Sequence, residues 1–145
     1  MVKAYFDSNV LISGSMRAHE HYGRAVEVLK RVYQREISAC MLAHGMAEIY
    51  SVLTRGPFKP KIDPEQGWKI VSSTVLEFFE VVHLSTEDYR RTLRSSSEDG
   101  LSGGRIFDAL HIQAARKAQC ERIYTFDVRH FRQLAPDLAD IIVAP

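Results

Sequence analysis

The sequence predicts an α/β fold, a three-layer α/β/α sandwich around a central, mainly parallel sheet. Short segments of apolar and β-branched residues recur along the chain, and amphipathic stretches of ten or more residues separate most of them. Strands joined by helices of that length pair in parallel through right-handed crossovers. The chain carries no internal repeat, and its length of 145 residues is that of one domain. We therefore expect residues 1–145 to form a single domain.

The first half of the chain contains two predicted strands and two predicted helices. In the apolar run Val2–Ile12, alternating β-favouring residues indicate a short buried strand that ends at Asp7, and the break at 13–15 closes this first unit. Gly56-Pro57 ends the last of the four elements. The expected order is a strand near the N-terminus, a helix over 19–35, a strand over 37–42 and a helix over 43–54.

The second half repeats this alternation. Asp63-Pro64 is a favourable helix start, because an N-cap acid precedes a proline at the first helical position. The segment 95–104 has almost no apolar residue and is expected to be a loop. Apolar positions expected to face the core include Trp68, Leu76 and Phe107. The other expected elements are a strand over 81–84, helices over 86–94 and 106–118, a strand over 122–126, a helical turn near 131–134 and a strand over 141–143.

Composition restricts the class of protein. The chain is 46% hydrophobic and 26% charged, as in ordinary soluble globular proteins, and no apolar run is long enough to span a membrane. Its start lacks the pattern of a signal peptide, so we expect a cytoplasmic protein. Cys40 and Cys120 are expected to be reduced thiols, with a disulfide as the less favoured alternative. A net charge of +1 neither requires nor excludes a nucleic-acid partner.

Four acidic residues occupy positions from which they could meet. Asp7 and Asp127 each end a predicted strand, and Asp108 lies in the first turns of a predicted helix. Glu48 lies within an apolar helix, where a carboxylate has no ordinary structural explanation. Because strand ends and the starts of the following helices meet at one edge of a parallel sheet, we expect the four side chains to converge there.

Such a cluster repels itself and needs bound cations or protons for compensation. Ligands that are all oxygen favour Mg²⁺ or Mn²⁺ over zinc. A second interpretation stays open for Asp7, Asp108 and Asp127, since acids at these positions can cap a helix or complement its dipole. His19, His21 and His111 are expected at the surface or behind the acids, where each could touch substrate.

Four segments, taken in chain order, resemble the motifs of PIN-domain ribonucleases. The stretch Met46–Arg55, which ends in a threonine–arginine pair, is in addition similar to VapC-type toxins of toxin–antitoxin pairs. The resemblance covers the whole chain and implies a PIN-like α/β/α sandwich. The four segments are Tyr5–Ile12, Met46–Arg55, Ile106–Ala115 and Ile123–Asp127.

This resemblance implies an endoribonuclease that depends on Mg²⁺ or Mn²⁺ and cleaves RNA with metal-activated water. Asp7 and Asp108 correspond to the principal metal ligands, and Glu48 and Asp127 complete the acidic site directly or through water. The implied partners are an RNA substrate, a cognate antitoxin protein and a second copy of the chain in a homodimer. Supporting polar groups are implied at Ser8, Asn9 and Thr125.

Two alternatives belong to other functional classes. The chain could be a non-catalytic PIN-like module that binds RNA or serves in assembly, although such a module has no need for mutually repelling carboxylates. It could instead be a phosphoryl-transfer enzyme with Asp7 as the nucleophile. That chemistry calls for a second acid two residues later, and position 9 is asparagine. The segment 128–131 after the fourth motif departs from the family pattern, which leaves its metal-contacting residue open.

Overall fold

The computed structural model describes residues 1–145 and contains one five-stranded sheet in the order β3-β2-β1-β4-β5. Every neighbouring pair of strands is parallel. Helices cover both faces, so the predicted three-layer α/β sandwich is confirmed. Because β1 occupies the centre of the sheet, the residue that follows it lies at the middle of the carboxyl edge. The strands are β1 (Val2–Phe6), β2 (Ile37–Leu42), β3 (Phe79–Val82), β4 (Arg122–Tyr124) and β5 (Ile142–Val143).

Seven α-helices connect and flank these strands. A π-helical turn over Ser72–Leu76 follows α4, and a 3₁₀ helix over Pro136–Ile141 leads into β5. None of the helices is both long and apolar enough to cross a membrane. The α-helices are α1 (Ser8–Gly14), α2 (Tyr22–Tyr33), α3 (Ala43–Arg55), α4 (Pro64–Val71), α5 (Thr86–Glu98), α6 (Arg105–Lys117) and α7 (Val128–Leu134).

Alternation along β1 divides the interior into two hydrophobic clusters. Ala4 and Phe6 point to the side covered by α1, α2 and α3, whereas Tyr5 points to the side covered by α6 and α7. All three side chains are fully buried. A strand buried on both faces in this way is typical of the centre of a parallel sheet.

Several element boundaries differ from the prediction. Residues 8–14 form a helix, whereas the sequence analysis predicts no helix in the apolar run that contains them. A short apolar run does not distinguish a buried strand from a buried helix. Helix α5 continues to Glu98, which shortens the predicted loop at 95–104. The strand predicted over 81–84 is instead β3, which begins two residues earlier, and β4 ends at Tyr124.

Three apolar side chains predicted to face the core are exposed. Trp68 and Leu76 are 56% and 49% exposed, and Phe107 is 41% exposed. Helix α4 packs mainly against α3 rather than against the sheet, so a large part of its surface has no covering layer. Phe107 lies in the first turn of α6 and stacks on His44 instead of entering the core.

Candidate functional site

Asp7 lies directly after β1 and is only 5% exposed. It occupies the N-cap position of α1, but its side chain makes no capping hydrogen bond, so the helix-cap interpretation is wrong for this residue. Its Oδ2 instead accepts a hydrogen bond of 2.8 Å from Thr125, and its Oδ1 has a longer contact of 3.4 Å with the Ser8 hydroxyl. The carboxylate is therefore held by the residue that follows β4 and not by the backbone of its own helix.

The three predicted supporting groups form one network between the ends of β1 and β4. The Thr125 hydroxyl donates to Asp7 and accepts from the backbone N–H of Asp127 at 3.0 Å. Asn9 accepts from the backbone N–H of Phe126 at 3.3 Å, and its amide group lies 3.4 Å from Thr125. These contacts fix the position of Asp7 relative to the segment that carries Asp127.

A buried hydrogen-bond chain reaches Glu48 through His111. The backbone N–H of Leu42 donates to the Tyr5 hydroxyl at 3.1 Å, and this hydroxyl lies 2.5 Å from Nδ1 of His111. Nε2 of His111 lies 2.6 Å from Oε1 of Glu48 and 3.7 Å from Oδ1 of Asp7. The Tyr5 hydroxyl and the His111 ring each have one hydrogen to donate. Both find an acceptor when Tyr5 donates to Nδ1 of His111 and Nε2 of His111 donates to Glu48. His111 thus orients the glutamate from inside the protein.

The carboxylates around His111 lie close enough together for their negative charges to repel one another. Burial raises the pKa of Asp7, and the nearby charges of Asp108 and Glu48 add to this. Burial alone lowers the pKa of His111, but the hydrogen bond to Glu48 and the charge of Asp7 outweigh it and raise that pKa. Burial of Glu48 works to raise its pKa, and its contacts with His111 and His44 reverse the sign and lower it. The site therefore attracts positive charge.

Asp108 and Asp127 meet at a second histidine. Oδ2 of Asp108 lies 2.7 Å from Nδ1 of His130, and Oδ2 of Asp127 lies 3.6 Å from the same nitrogen. The other ring nitrogen of His130 is buried without a hydrogen-bond partner, so the proton belongs on Nδ1, where it faces the carboxylates. Burial raises the pKa of Asp108 despite this hydrogen bond, and the charge of Asp127 adds to it.

The structure therefore brings together all four acids that the sequence singled out. Asp7 and Glu48 share His111, Asp108 and Asp127 share His130, and the charges of Asp7 and Asp108 act on each other. Helices α3 and α6 and the ends of β1 and β4 supply them, all at the carboxyl edge of the sheet.

The sequence predicts one of the two histidines at this site in part and does not single out the other. Of the two positions expected for His111, at the surface or behind the acids, the structure has the second, because this side chain is 1% exposed and contacts Asp7 and Glu48 from the interior. The sequence analysis left open the residue contributed by the segment 128–131, which is His130. The spacing that relates His111 to Asp108 recurs in Asp127–His130, and in each case it places an acid and a histidine on the same side of a helical turn.

The donor set suits a hard divalent cation. Oε2 of Glu48 and Oδ1 of Asp108 accept no hydrogen bond within the protein, so lone pairs are available for an ion. Ligand atoms of Asp108, Asp127 and His130 lie within 4.8 Å of one another. Mg²⁺ and Mn²⁺ prefer carboxylate oxygens, and His130, with its proton on Nδ1, is a hydrogen-bond donor to Asp108 rather than a ligand. Ligands could therefore come from both halves of the site, with Asp108 adjoining each.

Comparison with known families agrees with this geometry. A family model described as the PIN domain matches residues 4–136, which include the end of β1, all four acids, His111 and His130. The chain belongs to the PIN-domain family. The resemblance predicted from the four sequence motifs is confirmed.

Individual relatives of this PIN domain are VapC proteins. The chain is 29% identical over 123 residues to Ribonuclease VapC40 from two strains of Mycobacterium tuberculosis, with 85% of each chain covered. In the Rickettsia felis VapBC2 complex bound to a promoter DNA fragment, a chain with 14% identity superposes with a TM-score of 0.67, covering 99% of both chains. The M. tuberculosis toxin VapC20, described as cleaving the sarcin–ricin loop, has 13% identity and a TM-score of 0.68, covering 88% of this chain and 92% of VapC20. At these identities the two structures show a shared fold.

Proposed function

We propose that this PIN-domain protein is an endoribonuclease that depends on Mg²⁺ or Mn²⁺ and acts as the toxin of a VapBC-type toxin–antitoxin pair. The observation that carries the proposal is the convergence of four carboxylates around His111 and His130 at the carboxyl edge of the sheet. The similarity to Ribonuclease VapC40 supports RNA as the substrate.

Asp7 and Asp108 are the proposed principal ligands of the ion, with Glu48 and Asp127 completing the site directly or through water. When bound, a divalent ion supplies Lewis-acid activation of water and neutralises charge on the phosphate. Thr125 holds the Asp7 carboxylate in place. Ser8 and Asn9 support the same end of β1.

Glu48 has a second proposed task as a proton acceptor. Its Oε1 is held by His111, whereas its Oε2 is free to take a proton from the attacking water. The lowered pKa of Glu48 keeps this carboxylate ionised at neutral pH. His111, anchored by the Tyr5 hydroxyl, acts as a positioning residue for that acceptor.

The proposed partner is an antitoxin protein that covers the acidic site. The similarity to a chain of the Rickettsia felis VapBC2 complex supports such a pair. A homodimer and a cytoplasmic location stay predictions. The alternative of a non-catalytic RNA-binding module fits the site less well, because binding alone does not require ionised carboxylates held close to one another.

Cleavage of total RNA by the purified chain tests the proposal. With Mg²⁺ or Mn²⁺ we expect discrete internal cuts whose ends can be mapped by sequencing, and we expect none in EDTA. Asp108→Asn should abolish cutting, whereas Asp140→Asn, at an exposed acid away from the four, should cut like the wild type. Equal cleavage in EDTA, or full activity of Asp108→Asn, would contradict the proposal.

A further inference from the structure

An exposed aromatic pair, His44 and Phe107, lies beside the acidic site. Their ring centroids are 5.1 Å apart and their planes are within 3° of parallel. Phe107 is 41% exposed, and the His44 side chain is 40% exposed. Phe107 directly precedes Asp108, and Nδ1 of His44 lies 3.6 Å from Oε1 of Glu48. Anything that rests on the pair is therefore adjacent to two of the four acids.

Packing does not explain the position of Phe107. Leu110 and Ala114 lie on the same stripe of α6 and are buried, but Phe107 is 41% exposed and belongs to neither hydrophobic cluster. Burial of a phenylalanine side chain stabilises a fold, and the exposed part of the Phe107 ring does not contribute to that stabilisation. The exposed ring forms the rim of the site instead.

The second stacked pair near the acids provides a contrast. His21 stacks on Phe126 with centroids 4.2 Å apart, and the Arg24 guanidinium lies 5.6 Å from the centre of the same ring. Phe126 thus already has two partners and is only partly accessible. Phe107 has a single partner and a larger open surface.

We propose that the His44–Phe107 pair is a stacking platform for one unpaired base of the RNA next to the cleaved phosphate. This inference rests on the proposed nuclease function. Proteins that read single-stranded RNA stack its splayed bases on aromatic and histidine rings, and this contact tolerates any base because each has a π face. The platform would hold the nucleotide beside the scissile bond and favour substrates that are single-stranded there.

Binding of a non-cleavable RNA in EDTA tests the platform without a loaded active site. The probe is a single-stranded 2′-O-methyl oligonucleotide of mixed sequence with 2-aminopurine at successive positions in separate preparations. Phe107→Leu should bind about tenfold more weakly than the wild type and should lose the quenching of 2-aminopurine that stacking causes. Phe107→Tyr, which keeps an aromatic face, should remain within about twofold of the wild type.

Tyr89→Leu is the matched control, because Tyr89 is 38% exposed on α5, which carries none of the four acids. It should bind the probe as the wild type does. For any RNA that the wild type cleaves, Phe107→Leu should also raise KM about tenfold with a smaller effect on kcat. Equal affinity, quenching and KM for Phe107→Leu and Tyr89→Leu would overturn the platform while the nuclease proposal stands. A wild type that neither binds the probe nor cleaves RNA would overturn both.

Discussion

Replacing Asp7 by asparagine should stabilise the metal-free protein even though it removes a proposed ligand. The carboxylate is 5% exposed, and burial raises its pKa, so the folded state disfavours its ionised form. Asparagine has nearly the same shape, and its carbonyl oxygen can accept the 2.8 Å hydrogen bond from Thr125. Asp7→Asn thus removes a buried charge near Asp108 and Glu48 without removing this contact.

The expected gain is about 1–2 kcal/mol in the free energy of unfolding, the usual scale of one stabilising substitution. For a chain of this length that corresponds to a rise in Tm of roughly 2–8 °C in EDTA. Cation binding should reverse the order of stability of the wild type and Asp7→Asn. At a cation concentration about 100 times Kd, the wild type gains about 2.7 kcal/mol by mass action, which exceeds the advantage of the variant.

Thermal melts in EDTA and in Mn²⁺ measure both effects on the same samples. We expect Asp7→Asn to melt above the wild type in EDTA and below it with Mn²⁺. Asp140→Asn serves as the control, since it removes an exposed acid and should follow the wild type in both buffers. Two results would contradict this account of Asp7 as a buried charge that a cation stabilises. One is a Tm of Asp7→Asn below that of the wild type in EDTA, and the other is an equal rise in Tm of both proteins on adding Mn²⁺.

Three further predictions concern two buried groups that contact the acids and one residue of the hydrophobic core. The raised pKa of His111 means that its contribution to stability is complete below its ordinary value of 6.5 and is lost as pH rises through its folded pKa, so Tm in EDTA should fall as pH rises above about 6.5. In His111→Ala this part of the pH dependence should disappear from melts recorded across the same range, and an unchanged slope would contradict it. Thr125→Val removes a buried donor to Asp7 and should cost about 1–3 kcal/mol in urea unfolding, whereas an unchanged midpoint would show that the network is not stabilising. Leu53→Ala, at a fully buried position of α3, should lower the free energy of unfolding by about 2–5 kcal/mol. Its control, Ser51→Ala at an exposed position of the same helix, should change it by less than about 0.5 kcal/mol.

The arrangement of the acids was predictable because it depends on topology. Parallel strands place their ends at one edge, so Asp7 and Asp127 had to lie there once β1 and β4 were recognised as strands. Glu48 was identifiable because a carboxylate in an apolar helix lacks an ordinary explanation. These arguments need only periodicity and residue type, which a single sequence contains.

The contacts of the histidines and the exposure of Phe107 were not predictable from the same information. The environment of His111 comes from Tyr5, 106 residues away, and from Glu48, 63 residues away, and no local pattern encodes those contacts. Phe107 has the helical spacing of a core residue, yet it is exposed and stacks on His44. Helix α1 was missed because its apolar residues are too few to show a period.

Mn²⁺ titration followed by electron paramagnetic resonance tests most directly the central claim that the converging carboxylates hold a divalent ion. Free aqueous Mn²⁺ gives a signal that disappears when the ion binds, so the bound fraction can be read without any activity assay. We predict saturable binding by the wild type and by Asp140→Asn, and at least tenfold weaker binding by Asp7→Asn and by Asp108→Asn. Undiminished Mn²⁺ binding by both of these variants would contradict the account.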